Sequence, residues 1–294
     1  MFTRITSAVS YPGLFTDNDK SLLLDAAKMA VLAYKEGVDL QQRWESYHTG
    51  PRTGPVPEEY DVLQRLDEPD ILDDRRAGLQ AFACEYQPTG YAKKVLAMIV
   101  RDTNEIADAF QPAQIEQVEF GNNTYGNRFD GVRVHKGWLR QYKSLIGQWG
   151  KKIGEFLDKG GVVMFVGHSL GAAVSTIAAF NYGTYKQDKI WNVTIGSPPV
   201  GNEEFANQCN QYVGLLWRVK NRCDPVCKAL PSFTGYRQAG PEIHVGDPDP
   251  LPEFPGIWDW GDHWNYISAL TGNAMTPGLT FLDVIVSFKQ LLQI

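Results

Sequence analysis

Residues 162–173, VVMFVGHSLGAA, decide the fold, because an apolar run ends there at a serine with a glycine two positions away on either side. A serine hydroxyl presented at the end of a buried strand needs a turn so tight that the strand and the following helix nearly touch. Gly167 and Gly171 remove the side chains that would collide in such a turn. The stretch therefore predicts a strand, a sharp turn with Ser169 at its apex, and a helix, rather than a glycine-flanked serine in an ordinary loop.

A serine in this position is a candidate catalytic nucleophile. The helix after the turn points its N-terminus at Ser169, so the amide of Leu170 can donate a hydrogen bond to an oxyanion and the helix dipole favours that charge. A second donor is expected after the apolar run 94–100, KVLAMIV, which predicts a central strand. Thr103 follows at the carboxyl end of that strand, where ligands bind in open α/β sheets. Thr103 is therefore either an oxyanion donor or a turn residue that caps the next helix.

The acid that partners such a serine is expected further along the chain, before the histidine. Asp224 follows the predicted strand 215–219 and is the first candidate, the alternative being an ordinary Asp-Pro surface turn. Three other aspartates lie in or just after a proline-rich tract, which is a less rigid support: Asp247, Asp249 and Asp259.

Five histidines limit the choice of the general base. His263 follows the candidate acid and lies in a loop, from which an imidazole can serve both nucleophile and leaving group. The others fit less well: His48 and His135 precede the serine, His168 adjoins it on the wrong side of the turn, and His244 lies within a predicted strand. His263 is therefore the predicted base, and His135 is expected to be structural.

The remaining pattern predicts one α/β domain over residues 1–294, since no Gly-, Ser- or Pro-rich linker divides the chain. Apolar runs such as 190–196 predict further strands, and apolar residues spaced three and four apart predict helices at 21–34 and 138–157. The expected fold class is a central, mostly parallel, twisted sheet flanked by helices.

Two segments are expected to cover this sheet. Residues 1–80 predict a helical and irregular cover, with 47–76 irregular because that stretch is rich in proline, glycine and charge. Residues 104–130 lack a strong period and adjoin the predicted catalytic edge. They are either a mobile lid over an apolar pocket or an ordinary surface excursion.

Composition argues against several function classes. The net charge of −6, with no basic stripe able to neutralise phosphates, argues against a nucleic-acid partner. Cys223 and Cys227 have no histidine or cysteine partners at zinc-finger spacing, so no metal site is expected, and serine chemistry needs no cofactor.

The N-terminal residues lack the apolar core of a secretory signal, and no segment is long and apolar enough to span a bilayer. We therefore expect a cytoplasmic protein without a transmembrane segment, with leaderless export or a removed signal as alternatives. In that compartment the four cysteines are expected to be reduced thiols.

Taken together, these motifs resemble the class 3 (fungal-type) lipases of the α/β-hydrolase fold, over about residues 95–266. The similar segments are the strand end Arg101-Asp102-Thr103, the stretch 134–138 after the family's lid, the elbow 167–171, Asp224 as acid, and 262–266 with the histidine. The resemblance implies that Thr103 helps to form the oxyanion hole and that 104–130 is a lid over an acyl pocket.

Two residues depart from the family pattern. Asp102 replaces the usual glycine, which brings a carboxylate near a site that stabilises negative charge, and Gln238 stands where a histidine is common. The resemblance nonetheless implies a serine carboxylic-ester hydrolase, a triacylglycerol lipase that acts on lipid esters at a lipid–water interface. The alternatives are a phospholipase A1, a short-chain carboxylesterase, or a non-catalytic hydrolase-fold protein that binds a lipid or a partner.

Overall fold

The computed structural model describes residues 16–33, 40, 42, 44, 62, 65–74, 79–92, 94–102, 115–121, 129–221, 224, 226–230 and 232–245. The strands are β1 (Asp70–Asp74), β2 (Leu79–Tyr86), β3 (Val95–Asp102), β4 (Gln117–Glu119), β5 (Arg133–His135), β6 (Val162–His168), β7 (Ile190–Ile195), β8 (Leu215–Asn221) and β9 (Glu242–Val245). The helices are α1 (Asp17–Leu32), α2 (Lys136–Asp158), α3 (Leu170–Lys186) and α4 (Glu203–Tyr212). Short 3₁₀ turns occupy Gln187–Lys189, Val226–Lys228 and Ser232–Thr234.

Within this part of the chain, one sheet of seven strands has the order β1-β2-β3-β6-β7-β8-β9. The pairs from β3 to β9 are parallel, and β1, β2 and β3 pair antiparallel. β4 and β5 form a separate antiparallel pair. The prediction of a mostly parallel sheet flanked by helices is confirmed, and the carboxyl ends of β3, β6, β7 and β8 lie along one edge.

The sheet is buried on both faces, which explains the uninterrupted apolar runs of its central strands. Alternate residues of β6 point to opposite faces. Phe165 packs in the cluster that contains Trp149 of α2 and Phe180 of α3. Val166 packs in the cluster that contains Met29 of α1. Strand β6 is thus held between two helical layers, and its carboxyl end is fixed from both sides.

Helix α1 starts four residues before the sequence predicts, because Thr16 and Asp19 cap it. The Thr16 amide donates to Asp19 Oδ2 at 2.8 Å, and the Asp19 amide donates to Thr16 Oγ1 at 3.2 Å. This reciprocal pattern is a capping box. On its buried side, Asp25 accepts hydrogen bonds from Tyr86 Oη and from the Arg65 guanidinium, which ties α1 to β2. Burial, together with the Asp25 carboxylate, raises the pKa of Tyr86.

The prediction that 47–76 is irregular is wrong at β1. Three of the five residues of β1 are aspartates, a composition that is rare in strands and gives no strand signal. The segment is extended because it pairs with β2 and because Asp70 Oδ2 accepts from Trp149 Nε1 and Lys152 Nζ, both at 3.0 Å. The three-residue strands β4 and β5 were also not predicted, being too short for a recognisable period.

Candidate functional site

Ser169 lies at the turn between β6 and α3, as predicted. Its φ of 55° and ψ of −127° put it in a region that side chains avoid, and no other described non-glycine residue has positive φ. The turn is fixed by two hydrogen bonds, from the Ser169 amide to the Ile195 carbonyl at 2.9 Å and from the Ala172 amide to the Ser169 carbonyl at 3.1 Å. Strain of this kind persists where the surroundings over-determine the backbone and is concentrated at functional sites.

The two glycines around Ser169 have the steric role that the sequence predicts. A Cβ on Gly167 would lie 2.6 Å from the Cα of Ala172 in the first turn of α3. A Cβ on Gly171 would lie 2.8 Å from the Val100 carbonyl carbon and 2.9 Å from the Arg101 Cα. Gly171 therefore lets α3 touch the carboxyl end of β3, so the serine turn is locked to the strand that leads into Thr103.

The Ser169 side chain is almost fully buried, at 4 % exposure, and its Oγ makes no hydrogen bond within the part of the chain that the structure describes. Leu170 is the first residue of α3, and the first amides of a helix have no acceptor within the helix. A buried hydroxyl without a partner, set against such amides, is an arrangement suited to nucleophilic attack and oxyanion binding.

Asp224 lies just beyond β8 and is fully buried. Its amide donates to the Asn221 carbonyl at 2.9 Å, and its Oδ1 accepts from the Val226 amide at 2.9 Å. These bonds fold the residue back over the end of β8 and hold the carboxylate in one orientation. A buried carboxylate needs such partners, since its desolvation is otherwise costly.

The parallel pairing places the ends of β6 and β8 on the same edge of the sheet, with β7 between them. The Ser169 amide bonds to the last residue of β7, and the amide of Gly196, directly after β7, bonds to the Val219 carbonyl of β8 at 3.0 Å. Two strand spacings, roughly 10 Å, therefore separate the backbones that carry Ser169 and Asp224. Thr103, His263 and the competing acids Asp247, Asp249 and Asp259 lie outside the described residues.

His135 has the structural role that the sequence predicts. It is 4 % exposed, its Nδ1 accepts from the amides of Gly137 and Trp138 at 3.2 and 3.4 Å, and its ring stacks on Trp138 with centroids 4.0 Å apart. The histidine thus caps α2 with a side-chain nitrogen in place of the usual oxygen. His168 is buried at the end of β6, and His244 is half-buried in β9.

Sequence reasoning assigned no structural role to two polar residues that tie loops together near this edge, although it noted one of them, Gln238, as a departure from the family pattern. Asn202 Oδ1 accepts from the amides of Arg133 and Phe205, and its Nδ2 donates to the Gly131 carbonyl at 2.7 Å. Gln238 Nε2 donates to the carbonyls of Ser197 and Cys227 at 3.1 and 3.0 Å. An asparagine directly before two glutamates is a helix N-cap signal that could have identified the first residue. No local sequence pattern indicates the contacts of Gln238.

The predicted cover 104–130 falls mostly outside the described residues and stays a prediction, as does the single-domain organisation over 1–294. Its described part is tied to the core: β4 pairs with β5, and the Ile115 carbonyl accepts from Tyr236 Oη at 3.1 Å. Burial raises the pKa of Tyr236, so this phenol remains a neutral donor.

Three further features of the described residues concern metal ligands, membrane-spanning helices and cysteines. Among them, no three histidine, cysteine or acidic side chains lie together as a metal site would need. None of their helices combines the length and the apolar character of a membrane span. Cys84, Cys209 and Cys227 are buried, and burial raises the pKa of Cys84 and Cys209, which keeps those two thiols protonated and unreactive.

Comparison with known proteins agrees with the sheet and the serine turn described above. Residues 97–234 match the family model described as Lipase (class 3). The chain is 31 % identical over 175 residues to secreted mono- and diacylglycerol lipase 1 of Fusarium solani, covering 56 % of this chain and 48 % of that protein. It is 27 % identical over 166 residues to phospholipase A1-IIgamma of Arabidopsis thaliana, covering 46 % and 39 %. The chain thus spans about half or less of the length of these relatives.

Among solved structures, the triacylglyceride lipase of Rhizomucor miehei superimposes with a TM-score of 0.62 at 19 % identity, covering 82 % of this chain and 83 % of that one. This likeness, with the sheet order and the serine turn, establishes the α/β-hydrolase fold. The relatives also correct one expectation. The expectation of a cytoplasmic location is contradicted, because several relatives are named as secreted lipases.

Proposed function

The chain belongs to the class 3 lipase family, and from this premise we propose that it hydrolyses carboxylic esters of lipids, with Ser169 as the nucleophile. The observation that carries the proposal is the serine turn. Its buried Oγ has no partner among the described residues, its backbone takes a strained conformation, and glycines on both sides admit the close packing of α3. Each of these features is unfavourable or unusual for an ordinary core serine.

In the proposed mechanism, His263 removes the proton from Ser169 Oγ as that oxygen attacks the ester carbonyl carbon. The tetrahedral oxyanion accepts hydrogen bonds from the amides of Leu170 and Thr103, and its collapse expels the alcohol, which takes the proton from His263. Water, deprotonated by the same imidazole, then attacks the acyl-enzyme, and collapse of this second intermediate releases the fatty acid while the imidazolium returns its proton to Ser169 Oγ. Atoms and charges balance without a metal ion or an organic cofactor.

Asp224 is proposed to orient His263 and to stabilise the imidazolium. Its burial, its fixed carboxylate and its position two strands from Ser169 support this role. The separation of roughly 10 Å between the two strand ends leaves room for an imidazole between hydroxyl and carboxylate. Removal of the carboxylate by Asp224→Asn should lower kcat by about 10⁴-fold, as loss of the orienting acid does in serine hydrolases.

For the substrate we propose acylglycerols. The relative from Fusarium solani is named for mono- and diacylglycerols, which favours partial glycerides over the triacylglycerol that the sequence resemblance implies. A second candidate is the ester of a phospholipid, since another relative is a phospholipase A1. Fatty-acid release from monoolein, diolein, triolein and phosphatidylcholine, each in the same detergent micelle, separates these candidates and a short-chain esterase.

The decisive experiment is labelling with a fluorescent fluorophosphonate, which reacts only with an activated serine. We expect labelling of the native chain, none of Ser169→Ala, and full labelling of Ser232→Ala, which removes an exposed serine in the turn Ser232–Thr234. Ser169→Ala should also abolish turnover of p-nitrophenyl esters while its circular dichroism stays native. Absence of labelling in the native chain would favour the non-catalytic alternative, and undiminished labelling of Ser169→Ala would refute the assignment of the nucleophile.

A further inference from the structure

We propose that Gln238 is a positioning residue for the reaction, holding the turn that carries Asp224 against the segment that follows β7. This inference rests on the proposed role of Asp224. The side-chain amide of Gln238 donates from its single nitrogen to the carbonyls of Ser197, at 3.1 Å, and Cys227, at 3.0 Å. Both partners are carbonyl oxygens that can only accept, so the NH₂ end of the amide must face them.

One of these bonds reaches the candidate acid. Cys227 lies in the 3₁₀ turn Val226–Lys228, and the Val226 amide at the start of this turn donates to Asp224 Oδ1 at 2.9 Å. A shift of the turn would therefore move the donor that orients the carboxylate. Gln238 fixes the Cys227 carbonyl, one residue beyond that donor.

The other bond ties the turn that carries Asp224 to the end of β7, which also holds Ser169. Ser197 follows Gly196 at the end of β7, and Ser169 is held to Ile195 of β7 through its own amide. The end of β7 is thus bonded on one side to the serine turn and on the other, through Gln238, to the acid turn. Gln238 thereby fixes the position of Asp224 relative to Ser169.

The chemistry of the side chain suits this task. A glutamine nitrogen has two N–H groups, so one atom can satisfy two carbonyls that lie on different segments. Each nitrogen of a histidine, which is common at this position in the family, carries at most one N–H, and a leucine of similar size has no donor. Ser197 and Cys227 are only 2 % and 6 % exposed, so water has little access to replace the lost donor.

The test compares Gln238→Leu with Gln87→Leu, because Gln87 makes the same kind of contact at the opposite end of the sheet. Gln87 is also half-buried, and its Nε2 donates to the carbonyls of Tyr91 and Pro88 at 2.8 and 3.4 Å. Both variants should lower the melting temperature. At a temperature where both are folded, we expect only Gln238→Leu to lower kcat on a dissolved p-nitrophenyl ester, by about tenfold or more, with KM little changed.

The pH profile supplies a readout that a purely structural role would not move. A displaced Asp224 stabilises the imidazolium less, so the pKa of the base falls and the acidic limb of kcat/KM should shift to lower pH in Gln238→Leu alone. Gln238→His, which offers one donor per nitrogen, should give an intermediate kcat and an intermediate shift. It also serves as the reporting variant if Gln238→Leu does not fold.

Hydrogen exchange separates this inference from the proposed function. Gln238→Leu should speed exchange in the peptide 224–230 at least tenfold, and Gln87→Leu should leave it unchanged, whether or not the protein hydrolyses esters. An inactive native chain with faster exchange in Gln238→Leu would overturn the hydrolase proposal and the catalytic consequence, while keeping the contact. Native kcat and pH limb in Gln238→Leu, or in Gln238→His if that is the reporting variant, would overturn the positioning role.

Discussion

Strand β6 is entered and left through turns that contain glycine, and the two turns use it for opposite purposes. In the incoming turn, Gly160 itself takes the positive φ, at 79°, and a Cβ there would meet no atom within 4 Å. The amides of Gly160 and Gly161 bond to the Leu157 and Phe156 carbonyls at 2.9 and 3.0 Å, so the end of α2 is closed in the usual way.

In the outgoing turn, the positive φ belongs to Ser169, while the neighbouring glycines supply only space. The incoming turn avoids strain by using the residue that tolerates it. The outgoing turn places the strain on the side chain proposed to react and removes bulk from its neighbours. The comparison supports the proposed role of Ser169, since the same chain avoids such strain 9 residues earlier.

The largest expected effect is that of Gly171→Ala in the outgoing turn. The added methyl would press on the backbone of Val100 and Arg101, which cannot move without disturbing β3. We expect a loss of about 3 kcal/mol in the free energy of unfolding, measured in urea, together with a loss of ester turnover. The matched control is Gly154→Ala in α2, where nothing lies within 4 Å and a gain of about 0.5–1 kcal/mol is expected. Equal effects of the two substitutions would contradict the steric account.

In the incoming turn, Gly160→Ala tests strain without a clash. Forcing a Cβ into the left-handed region should lower the free energy of unfolding by about 1–2 kcal/mol, and Gly160→Asn should lower it less. Turnover per folded molecule should not change, since this turn lies at the opposite end of β6. Urea unfolding measures the loss of stability, and active-site titration gives the turnover per folded molecule. A lower kcat in Gly160→Ala would contradict the expectation that only the outgoing turn affects catalysis.

A glycine usually makes a protein less stable than an alanine at the same position, and at position 169 we expect the opposite order. Ser169→Gly is expected to raise the free energy of unfolding by about 1 kcal/mol relative to Ser169→Ala, since both lack the hydroxyl but only glycine tolerates the observed φ. Both variants should be inactive. Calorimetry of the pair measures the difference. A less stable Ser169→Gly would mean that the turn stores no strain.

The smallest effect expected is electrostatic and lies at the incoming end of the sheet, in Glu242 of β9. Burial alone would raise the pKa of this carboxyl, but hydrogen bonds and charge from Arg218, at 2.9 Å, and Lys220, at 3.4 Å, lower it below its ordinary value of 4.5. The stabilisation is therefore complete above that value and is lost as the pH falls through the lowered pKa. Urea midpoints from pH 3 to 7 should show a difference from Glu242→Gln of less than about 1 kcal/mol that shrinks only in acid.

The features that the sequence predicted correctly depend on local rules. The spacing of Gly167 and Gly171 around a serine reports how closely backbones must approach, and that requirement is met within five residues. The features it missed depend on partners far along the chain. Gln238 bonds to carbonyls 41 and 11 residues away, and neither its type nor its neighbours indicate this. Roles for Thr103 and His263 stay predictions, based on chain order.

Strand β1 also could not be predicted from its local sequence. Its aspartates argue against a strand, yet it closes one side of the sheet within the described residues, because pairing with β2 and the contacts of Asp70 outweigh propensity. A sheet border normally offers unpaired amide and carbonyl groups to any passing strand. Here a second molecule pairing through β1 would bring a strand with three aspartates against the three of the first. Like charges would thus oppose border-to-border self-association of the described sheet.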